Sequence, residues 1–476
     1  MFRSLASSII TLVAVLLFAF TMLFVFSGSA GVKFQRNALV GDVPTATVVK
    51  DYLAEQKAKA EPVDNGFTRE MTDEPADTEP EGGGDRVVLW VSLPGFRTDY
   101  VDKAEAPFLQ QMVSEGASTD KMKPNFPCLT APAHATLATG TTVDTHGIPM
   151  DKFRIEDGSV VEADGPHLTA EPIWTTATRQ GVRVLVHDWP TSFTQPAENA
   201  AAYSNASYNK DSTDQERLDA LYKAWSEDKD ENKLRLVMCK LDGINTGAQV
   251  NGPRTDEAYA EVGKTDKVLK GFIDKVKENW ATLAKPNAEL VVLVTTDHGM
   301  VATEKNINLG KLLGPDMLKN IDFVAHDAIG QLYFKDLPDS AGEVKLFEDK
   351  FDNAVSKMIN FRTFRPEDVP ANWKFNIPGR TGDRILVLKS GFAFTDFEAE
   401  EPVFIPSEGP NLFGCYGFPA EDALRMAGRC IIWGYPNQPS TRDMGEIDQT
   451  VFHSSVCKLL DIEPSEKAST TMISVD

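Results

Sequence analysis

The chain has 476 residues, with 70 acidic against 48 basic side chains and a formal charge of -22, which excludes a surface built to hold nucleic acid or another polyanion. Hydrophobic residues make up 42% and charged residues 25%, a balance that buries a large core and excludes wholesale disorder. Five cysteines (Cys128, Cys239, Cys415, Cys430, Cys457) stand far apart with no CxxC pair, which argues against a disulfide scaffold or a thiolate zinc site and allows at most two bridges.

The acid is unevenly placed. Residues 1–60 carry six basic and three acidic side chains, residues 61–85 carry nine acids against Arg69 alone, and residues 86–476 hold the remaining -17. Behind a tail at 1–8, residues 9–26 (IITLVAVLLFAFTMLFVF), bounded by Ile9 and Phe26, carry no charge. At about 1.5 Å per residue this run spans roughly 27 Å, the thickness of a bilayer core, and reads as a single transmembrane anchor. Gly28-Ser29-Ala30 keeps a cleaved signal peptide open as the alternative, although such peptides have shorter apolar cores, about 7–15 residues. Arg3 before the run and Lys33 and Arg36 after it oppose an outward C-terminal domain, but long translocated domains override that count. The tripeptide Asn205-Ala206-Ser207 fits either a glycosylation acceptor on a secretory route or chance. The expectation is a single-pass membrane protein with its large C-terminal domain on the non-cytosolic side. Residues 27–85, rich in Pro, Glu and Gly, form an acidic stalk that cannot bury enough apolar surface to pack.

From residue 86 onward, short apolar runs at 87–93, 182–186, 234–241, 290–296 and 429–433 read as strands buried on both faces. Helical stretches separate them, the clearest at 255–285, where Val262, Val268, Leu269, Phe272, Ile273, Val276, Trp280 and Leu283 recur at helical spacing. Alternation of the two implies an α/β domain with a mostly parallel sheet over 86–476, in which chemistry gathers at the carboxyl ends of the strands.

The segments following those strands carry the candidates. After the first, Leu93-Pro94-Gly95-Phe96-Arg97 is a turn. Downstream, Pro132 early in a helix-forming stretch places Thr130 at a helix N-terminus, where a hydroxyl is either a simple cap or a nucleophile beside an anion site. The run at 290–296 leads into Asp297-His298-Gly299, an adjacent carboxylate and imidazole suited to zinc. His134, one helical turn beyond Thr130, reads as a capping or packing residue that could touch it, and Cys128 as a small core hydrophobe.

Taken in order, VVLWVSLPGFRTDYV, NFPCLTAPAHATLATGTTVDTHGIPMDKF, EPIWTTATRQG, HDWPTSF, LDGINTGAQVNGP, TTDHGM and FGCYGFP resemble the nucleotide pyrophosphatase/phosphodiesterases of the alkaline phosphatase superfamily, over roughly 86–463. The resemblance implies an alkaline-phosphatase-like fold, two zinc ions and a threonine nucleophile that forms a covalent nucleotidyl intermediate. It puts Thr130 on the nucleophile and Asp297 and His298 on ligands of the zinc that activates it. His146 then falls in a structural turn, and Trp174 and Trp189 become core and loop supports.

The departures are heavier. The family's aspartate after the first strand is Pro94, and the phosphate-contacting asparagine is Ala133. Ile244 and Ala248 stand at an aspartate and a histidine of the second zinc, and Tyr416 at its last histidine. A one-residue slip offers only Asn245 or Asp242 and Gln249. Two of six ligands remain, whereas a catalytic zinc takes about three from protein. Even one lost electrostatic donor costs about 100- to 1,000-fold in rate. The expectation is a membrane-anchored pseudoenzyme with no cofactor, acting with protein partners as a scaffold or accessory subunit. The alternative is a hydrolase that keeps one zinc beside Thr130 at Asp297 and His298.

Overall fold

The computed structural model describes residues 85–395, 402–407, 413–422 and 424–474. The apolar run at 9–26 and the stalk up to residue 84 lie outside the described residues, within which no helix is long and apolar enough to cross a membrane.

Every expected strand forms, and all five join one sheet. We label β1 (Arg86–Ser92), β2 (Ala117–Lys123), β3 (Arg183–His187), β4 (Leu234–Lys240), β5 (Glu289–Thr295), β6 (Ile321–His326), β7 (Ile329–Phe334), β8 (Phe361–Phe364), β9 (Arg384–Leu388) and β10 (Gly428–Tyr435). The central sheet runs β2, β10, β5, β1, β4, β3, with short strands at each edge. The neighbours β5, β1, β4 and β3 are parallel, and β10 is antiparallel to both β5 and β2.

Alternate residues of β1 enter different layers, which is why its sequence is apolar from Val87 to Val91. Val87, Leu89 and Val91 pack on one face with Leu269 and Phe272. Val88 and Trp90 pack on the other with Leu137, Phe452 and Val456. Replacing any of these by a polar group would bury an unsatisfied donor or acceptor.

The long helix spans Asp256–Glu278, its start capped by Thr255 accepting from the Ala258 N–H. It stops at Asn279, short of the expected 285, and Trp280–Leu283 forms a separate turn. A second sheet, β6-β7-β9-β8, is antiparallel throughout and was not anticipated. Its edge strands are only half-buried and carry Asp322, His326 and Arg362, so no continuous apolar run marks them.

At the carboxyl ends of β1, β4 and β5 the ladder continues one step: Leu93 N–H donates to the Thr295 carbonyl at 2.8 Å and Leu241 N–H to the Ser92 carbonyl at 3.0 Å. The segments beyond are thereby fixed side by side.

Candidate functional site

Thr130 is the first residue of the helix Thr130–Thr139, with Leu129 at the cap position, and it is the one partly exposed residue of a helix otherwise buried. Its hydroxyl points to the side chains of His298 and Tyr416 rather than to the helix end. The helix N-terminus is instead satisfied by Asp151, whose Oδ1 accepts from the Ala131 N–H at 2.7 Å.

Asp297 and His298 follow β5 and are both fully buried. Asp297 Oδ1 accepts two backbone N–H groups, from Gly95 at 3.1 Å and from His298 at 2.7 Å. Asp297 Oδ2 has no hydrogen-bond partner; His298 Nε2 and His134 Nδ1 lie 3.3 and 3.7 Å from it. His298 Nδ1 donates to the Gly299 carbonyl at 2.7 Å, and Nε2 faces Asp297 Oδ2 and, at 3.5 Å, the Thr130 hydroxyl. Thr130, Asp297 and His298 are therefore brought together. The 3.5 Å separation is longer than the about 2.6–3.2 Å over which a base takes a hydroxyl proton.

His134 touches the Thr130 carbonyl rather than its hydroxyl: Nδ1 donates to that oxygen at 2.7 Å, and Nε2 accepts from Ser92 Oγ at 2.8 Å. Burial lowers its pKa to about 4, against the opposing pull of Asp297. His146 is equally buried and bonds Thr136 Oγ1 and the Ile148 N–H, a structural turn. All five cysteines are free and buried, so no bridge forms, and burial pushes the Cys128 thiol well up. Trp174 and Trp189 lie in the core, Trp189 with its indole N–H on the His134 carbonyl.

The degenerate positions present no donors. Pro94 is buried in a turn whose next residue, Gly95, has φ of 68° and turns its N–H onto Asp297 Oδ1. Ala133, Ile244 and Ala248 are buried and apolar. Asn245 and Gln249, the slip candidates, bond one another at 3.4 Å, and Gln249 also reaches Asp327. Asp242 faces away, held by Lys240 at 3.1 Å and the Tyr208 hydroxyl at 2.7 Å.

Tyr416 is the residue whose role the sequence did not reveal. Its ring lies flat on His298, with centroids 3.8 Å apart and planes at 19°. Its hydroxyl lies against Thr130 and 3.0 Å from His326 Nε2. Burial raises the phenol pKa well above 10, so it remains a neutral donor. Behind it, His326 Nδ1 is 3.1 Å from Asp151 Oδ2, close enough for an ion pair but off the line of a hydrogen bond. His326 and Asp151 were both missed; the one available signal was His326-Asp327 at the end of a strand, a mirror of Asp297-His298.

Do these residues fit zinc? A tetrahedral ion with bonds of about 2.0–2.1 Å holds neighbouring donors about 3.3–3.4 Å apart, and Asp297 Oδ2 and His298 Nε2 match that edge at 3.3 Å. A third donor is missing at Pro94, and the second site offers Ile244, Ala248 and the Tyr416 ring. Among the described residues no three His, Cys, Asp or Glu side chains are arranged to hold a metal. The set completes neither zinc site.

The model of the type I phosphodiesterase / nucleotide pyrophosphatase family matches residues 88–409. A pyrophosphatase/phosphodiesterase of Schizosaccharomyces pombe is 26% identical over 328 residues, 66% of this chain and 65% of that protein. Ectonucleotide pyrophosphatase/phosphodiesterase family member 7 of Rattus norvegicus is 27% identical over 231 residues, 46% of this chain and 51% of that protein. The chain thus spans between half and two thirds of these relatives. The solved murine ectonucleotide pyrophosphatase/phosphodiesterase 5 shares the fold, with a TM-score of 0.66 at 20% identity over 80% of this chain and 96% of that one.

Proposed function

The chain belongs to the type I phosphodiesterase / nucleotide pyrophosphatase family, and from that premise we propose that it keeps the family fold without the family's two-zinc hydrolysis. The observation that carries this reading is the Tyr416 ring stacked on His298 at 3.8 Å, with no donor at Pro94, Ile244 or Ala248. Two metals would clamp the attacking and leaving oxygens and neutralise developing charge. The residues present supply no such clamp: the Thr130 hydroxyl has His298 Nε2 at 3.5 Å, and no described set of side chains completes a metal site. The protein then serves as a scaffold or accessory subunit of a membrane assembly, anchored through residues 9–26, its large domain on the non-cytosolic side and its acidic surface available to a protein partner.

The test is the full chain in detergent with zinc supplied, assayed against nucleotide diesters and pyrophosphates. A related Xenopus laevis protein bears the name bis(5'-adenosyl)-triphosphatase, which makes diadenosine triphosphate one substrate to include. No turnover is expected; turnover abolished by Thr130→Ala would overturn the proposal.

A second reading has the 3.3 Å edge between Asp297 Oδ2 and His298 Nε2 in its favour: a hydrolase retaining one metal beside Thr130. Stoichiometric zinc that disappears in Asp297→Ala would select it. Murine phosphodiesterase 5 has been solved as an inactive form in complex with AMP, so calorimetry with AMP separates a third possibility, binding without cleavage. A flat titration would dismiss it.

A further inference from the structure

We propose that the cavity between Arg380 and Glu156 is a binding site for an aliphatic α-amino acid, with the carboxylate on Arg380, the ammonium toward Glu156 and the side chain against Ile155, Ile377 and Pro378. None of these residues belongs to the Thr130 centre, and the proposal holds whether or not that centre takes a metal. The cavity, of about 480 Å³, lies where the turn between the paired short strands Lys152–Arg154 and Val160–Glu162 meets the loop at 377–380. It falls within the about 300–1,000 Å³ usual for small-ligand pockets and has their usual make-up, apolar walls with a few polar groups.

Arg380 is held in place from one side only. Its Nη1 donates to the carbonyls of Gly147 and, at 2.6 Å, His167, and its Cζ stands 5.4 Å from the centre of the Phe153 ring. Gly147, with φ of 80°, admits it: a Cβ there would stand 2.7 Å from Nη1. Among the described residues Nε and Nη2 then have no hydrogen-bond acceptor. Arg97, Arg217 and Arg384 show what is missing, since each has a carboxylate oxygen within 2.9 Å. Arg380 has none within 4.0 Å among the described residues, and Glu156 has no cation within that distance either. Burial lowers the Arg380 pKa, and Glu156 offsets this only in part.

Glu156 stands at the same cavity against Gly379, where a Cβ would be 2.9 Å from its Cγ. The neighbouring Asp157 is engaged in its own turn, accepting from the Ser159 N–H at 2.8 Å and the Ser159 hydroxyl at 2.6 Å. His167, also on the wall, accepts the Asp164 N–H on Nδ1 at 3.3 Å, which puts the hydrogen of its neutral ring on Nε2. One unpaired cation and one unpaired anion thus face a single apolar cavity without satisfying each other. A ligand that carries both charges on an apolar body matches all three features. An inorganic anion would leave the apolar wall and Glu156 unused, and a simple carboxylic acid would leave Glu156.

The test is calorimetric titration of the full chain in detergent with L-leucine, with 4-methylpentanoate, which lacks the ammonium, and with 3-methylbutylamine, which lacks the carboxylate. A ligand of this size on a preformed site saturates at roughly 0.1–10 mM. Wild type should bind L-leucine about three- to fivefold more tightly than 4-methylpentanoate, the yield of a solvent-exposed charge pair, and about tenfold or more over the amine. Arg380→Gln, which can still donate to one carbonyl, should weaken L-leucine about tenfold. Glu156→Gln, a change at an exposed side chain, should bind 4-methylpentanoate no less tightly than wild type and lose the preference for L-leucine. Melting curves establish that each variant is folded, and Glu156→Gln decides the matter alone should Arg380→Gln unfold. A wild type that gives no saturable heat with L-leucine, or that binds L-leucine and 4-methylpentanoate alike, overturns the proposal. So does a folded variant of either residue that binds L-leucine as wild type does.

Discussion

Asp297→Asn separates a metal-free centre from a metal centre without any activity assay. Asp297 Oδ1 takes two backbone N–H groups, and an asparagine oxygen can keep both. Asp297 Oδ2, by contrast, is buried, unpartnered and 3.3 Å from His298 Nε2. With a neutral imidazole two acceptors face each other there, and an asparagine Nδ2–H in place of Oδ2 would donate to the ring. Leaving a buried acceptor unsatisfied costs about 1–3 kcal/mol, so the substitution should stabilise the fold by a similar amount. The unfolding entropy of a domain of about 390 residues is about 0.8 kcal/mol/K, which converts the gain into a melting temperature about 1–4 °C higher. Calorimetric melts of both proteins, with chelator and with zinc, measure it. A melting temperature lowered by several degrees, with the wild type stabilised by zinc, would mean that a cation balances Asp297 and would refute the reasoning.

Other consequences lie outside the centre. His146 and His134 are fully buried, and burial is the main cause of their lowered pKa values, about 3 and about 4. With unfolded values near 6.5 the unfolded chain binds more protons, so stability should fall as pH drops below about 6.5, by about 1.4 kcal/mol per unit for each histidine until its folded pKa is reached. Burial also lowers the pKa values of His453, His187 and His167, so melts between pH 7.5 and 5 should show a slope at least that of His146 and His134, and His146→Gln should remove its own share; a flat profile would contradict neutral buried imidazoles. Arg217, 2% exposed, pairs with Asp188 at 2.7 Å, and Arg217→Met should cost about 3–5 kcal/mol in chemical denaturation by stranding that carboxylate. A loss under 1 kcal/mol would show that Asn205 alone suffices for Asp188. Asn205 spends its amide hydrogens on Asp188 Oδ1 at 2.6 Å and the Ser207 carbonyl at 2.9 Å, so peptide mass mapping should find it without a glycan; a glycopeptide there would show one of those bonds dispensable.

Why was so much of the fold legible, and so little of the site? The runs around Val88 and Leu236 are apolar on most residues because helices cover both faces of their sheet, and such runs announce themselves. The β6–β9 sheet leaves its edge strands half-buried, so its sequence mixes Phe323 and Val324 with Asp322 and His326 and resembles loop. The helix over Asp256–Glu278 was visible from Leu269, Phe272, Ile273 and Val276, but its end at Asn279 depends on local backbone geometry that apolar periodicity does not encode. Thr130, Asp297 and His298 could be found because strand ends converge. Asp151 and His326 could not: each is a single polar residue whose partner lies on an element far away in sequence, and only the folded chain brings them within 3.1 Å.

The pattern of loss follows from charge. A centre built for two cations holds several carboxylates at close quarters, and without the cations each would be a buried, unpaired charge, the costliest kind of residue to leave in a core. The two positions where the resemblance expects further aspartates, Pro94 and Ile244, are both apolar and buried. Asp297 is present, and one of its oxygens is compensated without a metal by the N–H groups of Gly95 and His298. Tyr416 fits the same logic, filling space with a neutral ring and one hydrogen bond where a lone imidazole would need a partner. Asp297 and Asp151 apart, most of the acid in residues 86–476, which carry a net -17, therefore lies outside the centre.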